Sequence, residues 1–331
     1  MNRSASFWTL ILLAVIVSAC AAPTAVPVTP APSVTPTPAP EPFRIIAYAG
    51  YGAPLMSAEQ MSYLTHINYA FLTPKSDGTF DPIVNGWKLK KLAEMAHKDN
   101  HAKVLISVGG WGYDDQFETV AADPVLRATF VSGLQKIVAD YSIDGVDIDW
   151  EYPDAGQSSQ NFLVLMRELR AAFPAGRYLL TSAVVVYGEN GDSIPTESFE
   201  LVDFLNIMAY DGPDHSTYEL AVQALDYWAG RGLSPEKTVL GVPFYSRPNE
   251  VSFSRLVNAD PKSAWTDTFN FAGEQHYNGI PTIQRKTLLA MQRAHGIMFW
   301  EFSQDAVGEY SLLAAIHRTV TTGQADATPT P

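Results

Sequence analysis

Eight short apolar runs, rich in β-branched residues and separated by stretches of helical periodicity, constrain this chain more than any other feature. They are RIIAY (44–48), HINYAFL (66–72), KVLISVG (103–109), GVDIDWE (145–151), YLLTSAVVV (178–186), VDFLNIMAY (202–210), TVLGVPF (238–244) and GIMFWEF (296–302). Helix starts are recognisable between them. Ser57 and Gln60 have capping-box spacing, and Asp123-Pro124 offers an N-cap with proline at the first helical position. After it Leu126, Phe130, Leu134, Ile137, Val138 and Tyr141 recur at helical spacing and form one apolar face. Eight strands alternating with helices predict a (β/α)8 barrel. A doubly wound open sheet is the alternative, and no glycine-rich dinucleotide fingerprint accompanies it.

The chain of 331 residues, 47% hydrophobic, is long enough to bury a sizeable core. Its formal charge of −13 argues against nucleic acid, whose phosphates require basic residues. A neutral or weakly cationic ligand fits that charge, which also serves solubility.

Arg3 precedes an apolar run from Phe7 to Val17 that is too short for a standard membrane span. The run ends in VSAC, and Cys20 is the single cysteine of the chain, so no internal disulfide can form. This segment resembles a bacterial lipoprotein signal, which implies cleavage before Cys20 and a lipid on that residue. An ordinary secretory signal is the alternative. Residues 1–19 are therefore expected to be a signal peptide and 20–42, rich in Pro, Thr and Ala, an extended linker. The folded domain is expected at 43–320, with a disordered tail over 321–331. The product would be secreted and held at the cell surface through Cys20.

In a (β/α)8 barrel, functional groups stand at the C-terminal ends of the strands. Unusual polar and aromatic residues fall there in five strands: Ser107–Trp111, Asp149–Tyr152, Met208–Asp211, Tyr245–Arg247 and Trp300–Gln304. Tyr48 and Phe71, at the ends of strands one and two, are expected to wall the pocket.

The fourth strand carries the chemistry. Alternation puts Asp147, Asp149 and Glu151 on one face and Val146, Ile148 and Trp150 on the other. In a barrel the acidic face points inward, with Glu151 nearest the open end. Like charges crowded in a poorly solvated place cannot all ionise, so at least one pKa rises. A carboxylic acid still protonated near neutral pH is what a general acid requires. The DxDxE spacing also invites a calcium reading. Tyr152 and Ser158 stand where such a loop needs Gly and Glu, and the strand context is wrong. The seven histidines are scattered singly, so no metal and no cofactor is expected.

DGVDIDWE matches the pattern DxxDxDxE at Asp144, Asp147, Asp149 and Glu151. With SVGG (107–110), MAYD (208–211) and Trp300 on the eighth strand, the sequence from Arg44 to about Thr319 resembles glycoside hydrolase family 18, the chitinase family. The resemblance implies roles. Glu151 would protonate the glycosidic oxygen, and no second carboxylate would act as nucleophile. The substrate's own N-acetyl carbonyl oxygen would attack C1 instead, with Asp149 accepting from the acetamido N–H. Asp147 would share a proton with Asp149, Tyr210 would hold the acetamido carbonyl, and Asp211 would bind the distorted sugar. Trp300 would be the sugar's floor. Trp111, Met208, Tyr152, Tyr245 and Arg247 would join Tyr48 and Phe71 around the substrate. The peptide bonds Ala70–Phe71, Glu151–Tyr152 and Trp300–Glu301 would be cis.

Two departures bear on function. Only 248–281 separates strand seven from the next helix, so any insertion there is small, and Ser246 stands where the family usually has Gly. A shallow, open cleft with endo-type cutting and little processivity is expected. The leading activity is hydrolysis of β-1,4-linked N-acetylglucosamine by a monomer. An endo-β-N-acetylglucosaminidase acting on N-glycans, a peptidoglycan-directed relative, and a non-catalytic chitin-binding lectin are the alternatives.

Overall fold

The computed structural model describes residues 42–98 and 102–326. The expected signal peptide, Cys20 and the linker up to Glu41 lie outside the described residues, as does 327–331.

The barrel strands are β1 (Arg44–Gly50), β2 (His66–Leu72), β3 (Lys103–Gly109), β4 (Gly145–Asp149), β5 (Leu179–Val185), β6 (Phe204–Met208), β7 (Thr238–Pro243) and β10 (Gly296–Trp300). They close in the order β1-β10-β7-β6-β5-β4-β3-β2, with every pair parallel. The sheet is therefore a closed (β/α)8 barrel and not the open alternative. Between β7 and β10 a small insertion carries a two-stranded antiparallel hairpin, β8 (Thr268–Asn270) and β9 (Glu274–His276).

The helices are α1 (Ala58–Ser62), α2 (Gly86–Lys98), α3 (Asp114–Ala122), α4 (Pro124–Tyr141), α5 (Gln157–Ala172), α6 (Glu189–Asp192), α7 (Tyr218–Gly230), α8 (Phe253–Ala259), α9 (Ile280–Arg293) and α10 (Leu312–Thr322). Two of them show why they start where they do. The Ser57 hydroxyl accepts from Gln60 N at 3.1 Å, and the Gln60 amide oxygen accepts from Ser57 N at 2.9 Å, which closes the capping box of α1. Asp123 Oδ1 accepts from Val125 N and Leu126 N ahead of Pro124, satisfying two of the free donors at the head of α4. That helix buries Phe130, Leu134 and Val138, the heart of its apolar face. Truncating Phe130 to Ala would cost about 3–5 kcal/mol through the cavity it leaves.

Alternation along the strands divides the apolar residues into two layers. The outward set, including Ile106, Val146, Ile148 and Ile207, packs with Phe117, Phe130 and Trp228 of the helical ring. The inward set fills the barrel axis with Ile46, Tyr48, Phe204, Met208, Val239 and Met298. Above this inner layer the interior turns polar, and there the site lies.

The far end of the domain differs from the sequence expectation. Helix α10 runs through Thr322 and ends on Gly323, whose φ of +69° suits the left-handed cap. Beyond it Asp326 pairs with Arg318 of α10 at 2.9 Å, and Asp326 N donates to Gln284 Oε1. The folded domain therefore extends past residue 320. Apolar periodicity stops at Val320, and polar contacts of this kind leave no periodic signal.

Candidate active site

Asp147 sits in the middle of β4, and register decides its surroundings. It lies opposite Ser107 on β3 and Thr181 on β5. Being fully buried, it needs donors on both oxygens. Oδ2 accepts from Tyr48 Oη and from Ser107 Oγ, each at 2.7 Å. Oδ1 accepts from Thr181 Oγ1 at 2.5 Å and from Asn206 Nδ2 at 3.2 Å. Burial pushes its carboxyl up, and the four hydrogen bonds pull against that without cancelling it.

Asp149, two residues higher, is almost as buried and far less satisfied. Its Oδ1 has no hydrogen-bond partner among the described residues. Burial, then the negative charges of Glu151 and Asp147, push its carboxyl well above the usual range. Glu151 completes the column at the mouth. Burial raises its carboxyl, the Tyr152 hydroxyl at 2.9 Å partly offsets this, and the charge of Asp211 adds to the rise. All three acids on this face are pushed towards the protonated form, where their spacing in the sequence required it of at least one.

The SVGG turn lets this strand come close. Gly110 N donates to Asp149 O at 2.8 Å. Gly109 adopts φ +105°, and a Cβ there would stand 2.4 Å from that same carbonyl oxygen. Only glycine fits. The three non-proline peptide bonds Ala70–Phe71, Glu151–Tyr152 and Trp300–Glu301 are cis, as the family resemblance implied.

A cleft of about 590 Å³ opens above the column. Every cleft residue expected from the sequence lines it except Asp147, which lies beneath its floor and touches Tyr48. The Trp300 ring, at the end of β10, stacks on Phe71 at 5.3 Å with 19° between planes and tilts against Tyr48 at 5.8 Å. Trp111 stands at the edge, 79% exposed. Met208 and Tyr210 follow from β6, and Tyr152 closes over Glu151.

Opposite the column, Asp211 is gripped from the segment that follows β7. Tyr245 Oη donates to its Oδ1 at 2.7 Å, and Arg247 Nε donates to the same oxygen at 2.8 Å. Burial alone would raise the Asp211 carboxyl; contacts with His215, Tyr245 and Arg247 outweigh it and bring it down to about 2. The cleft therefore sets an ionised acid across from acids that favour the protonated form. Separation of this kind marks groups available for acid–base work.

Four contributors were not singled out from the sequence, and a fifth, Gln304, was marked only as part of the stretch after the eighth strand. Thr181 and Asn206 are polar residues at inward positions of β5 and β6, level with Asp147, and that alternation was a usable signal. Glu250 and Gln304 line the cleft, and Glu250 holds the Arg247 guanidinium at 2.5 Å. His215 contacts both Asp211 and Tyr245 from within a loop, where no periodicity marks it. Among the described residues, no cluster of His, Cys, Asp and Glu is placed to hold a metal ion.

Comparison with known proteins agrees with this geometry. The sequence model described as "Glycosyl hydrolases family 18" matches residues 44–305. Chitinase 1 of Aphanocladium album is 25% identical over 360 residues, covering 84% of this chain and 84% of that protein. A class V chitinase of Arabidopsis thaliana is 30% identical over 237 residues, 62% of this chain and 61% of that one. Chitinase A1 of Niallia circulans is 29% identical over 212 residues, and the match spans 51% of this chain but 30% of that longer protein. Among solved structures, a chitinase from Bacteroides thetaiotaomicron superposes with a TM-score of 0.74 at 27% identity, covering 85% of this chain and 97% of that one. The GH18 chitinase from the chitin utilization locus of Flavobacterium johnsoniae gives 0.72 at 28% identity, covering 88% and 97%. With the family's model running from the first barrel strand to just beyond the last, the chain belongs to glycosyl hydrolases family 18 and is a glycoside hydrolase, a chitinase.

Proposed function

We propose that the cleft hydrolyses β-1,4 linkages between N-acetylglucosamine units of chitin and chitooligosaccharides, with retention of configuration and the substrate's acetamido group as nucleophile. One observation carries the reading. Asp149 Oδ1 is a buried acceptor without a protein donor among the described residues, and leaving such an atom unmatched costs about 1–3 kcal/mol. An acetamido N–H from a sugar above Glu151 supplies the missing donor.

In this mechanism Glu151 gives its proton to the glycosidic oxygen as the C1–O bond breaks. The acetamido carbonyl oxygen forms the new bond to C1, its position held by the Tyr210 hydroxyl. Asp149, ionised in that step, accepts the acetamido N–H and offsets the positive charge of the oxazolinium ion. Asp147, fixed by four donors, keeps Asp149 in place and shares its proton. Water then attacks C1, the ring opens to restore the acetamido group, and Glu151 recovers a proton from the water. Trp300 and Phe71 provide the apolar floor, since an aromatic face suits the C–H face of a pyranose. Asp211 binds hydroxyls of the distorted sugar.

The test is a chitobiose reporter assayed beside the same disaccharide without N-acetyl groups, with Glu151→Gln as control. Turnover is expected for the acetylated reporter alone and is abolished by the substitution. Comparable turnover of the unacetylated reporter overturns the acetamido role. A glycopeptide cleaved in place of the reporter redirects the reading to N-glycans.

The insertion between β7 and α9 amounts to α8, a short turn and the β8–β9 hairpin. It builds no deep wall, which supports endo cutting with little processivity. Disaccharide as nearly the sole product of polymer from the outset would overturn this. The VSAC segment supports secretion with a lipid at Cys20; radiolabelled palmitate that enters the protein equally in Cys20→Ala would exclude it.

A further inference from the structure

His215 is 4% exposed and lies in the loop after β6, four residues past Asp211. Each of its two ring nitrogens meets a backbone group whose role is fixed, and Nδ1 also lies 3.5 Å from Asp211 Oδ1. Nε2 lies 3.1 Å from the carbonyl oxygen of Tyr245, which can only accept. Nδ1 lies 3.1 Å from the backbone N–H of Asp211, which can only donate. Nε2 therefore carries the proton and Nδ1 is bare. The ring is a neutral imidazole whose tautomer is dictated by two backbone groups.

Those backbone groups belong to the two residues that meet across the cleft wall, where Tyr245 Oη donates to Asp211 Oδ1. The imidazole closes the same link through the main chain, so the segments that follow β6 and β7 are joined twice at this height. Asp211 itself adopts φ +64°, a left-handed conformation that a non-glycine residue holds only when its surroundings favour it. The hydrogen bond to His215 Nδ1 is one such support. The loop is held on its other side as well. Ser216, at φ +67°, gives its carbonyl to the buried Lys286 Nζ at 2.9 Å.

We propose that His215 is a positioning residue for the hydrolysis: as a neutral Nε2–H imidazole it ties the Asp211 N–H to the Tyr245 carbonyl and so fixes the Asp211 carboxylate against the bound sugar. His215 lies behind the wall and acts through Asp211, without touching the substrate. The inference rests on the reading of Asp211 as a substrate-holding carboxylate.

Replacement by Leu keeps the bulk but leaves both backbone groups unpaired, whereas Gln keeps one neutral acceptor and one neutral donor. On the chitobiose reporter, His215→Leu is expected to lower kcat by about 10²-fold, the scale of a displaced substrate-holding group. His215→Gln should recover most of that loss. Leu retaining nearly all of the wild-type kcat, or Leu and Gln losing equally, overturns the proposal. NMR of protein labelled with ¹⁵N-histidine, near neutral pH, gives an answer that does not depend on the Leu variant folding. The ring signals that vanish in His215→Gln should be those of a neutral Nε2–H imidazole, and an Nδ1–H or doubly protonated ring overturns the assignment. Asp211→Asn separates the two readings. If it keeps full activity, the role of Asp211 in the cleft fails; if it loses activity while His215→Leu does not, positioning by His215 alone fails.

Discussion

The two ends of β4 put the same residue type into opposite settings. At the start, Asp144 Oδ2 accepts from Val104 N at 2.8 Å and faces His97 Nε2 at 2.7 Å, and Oδ1 meets Lys103 Nζ at 3.1 Å. Five residues on, Asp149 has no cation beside it, an oxygen without a donor among the described residues, and two other acids as neighbours. The lower aspartate is matched by opposite charge and supports the fold. The upper one is crowded by like charge, which destabilises the free enzyme and is relieved only when a suitable donor enters. Pairing builds stability at one end of the strand, and its absence builds reactivity at the other.

The contrast can be broken most forcefully at the mouth. Glu151→Gln should lower kcat by about 10²- to 10⁴-fold, the usual share of a general acid, while thermal melting stays unchanged or rises. An active variant would mean that the upper end is no proton donor. Asp149→Asn comes next, with a fall of about 10²-fold. It should melt higher than wild type, because a buried acid among acids becomes neutral. A lower melting temperature would show that the upper end is stabilising after all. Asp144→Ala should reverse both signs, leaving kcat intact and costing about 1–2 kcal/mol in urea unfolding. That figure reflects mainly the unmatched Val104 N–H, since Lys103 and His97 are 58% and 37% exposed and their pairing is screened.

The smallest effect concerns pH. Glu151 must be protonated to act, so kcat is lost as pH rises through its raised pKa. The Asp211 charge contributes to that rise. Removing the charge in Asp211→Asn lowers the Glu151 pKa, and the alkaline limb of residual kcat should move to lower pH by less than about one unit. An unmoved limb would show that the two walls of the cleft are electrostatically independent.

Much of this was readable before any coordinates. Alternation alone placed Asp147, Asp149 and Glu151 on one inward face, because a strand's period of two holds whatever surrounds it. The same reasoning ran several strands too far. The fourth run was read to Glu151 and the sixth to Tyr210, whereas the ladders end at Asp149 and Met208. Of the extra residues, Glu151 and Tyr210 leave the sheet to line the cleft. Apolar and aromatic composition does not distinguish a barrel strand from the cleft wall that continues it. The pairing of Asp147 with its donors was missed for another reason. Alternation marks Ser107, Thr181 and Asn206 as inward, but only the register of four different strands makes them partners of Asp147. His215 lies further still from the sequence, since its meaning comes from two backbone groups 34 residues apart.

The four donors on Asp147 also bear on how such a barrel can be recombined. They come from β1, β3, β5 and β6, and the contacts from Tyr48 and Asn206 span 99 and 59 residues. Exchange of single strand–helix units between related barrels would therefore divide the set. The segment from Tyr48 to Asn206 is the smallest heritable block that carries the buried aspartate with all its partners. Crossovers that preserve the chemistry should fall before β1 or after β6.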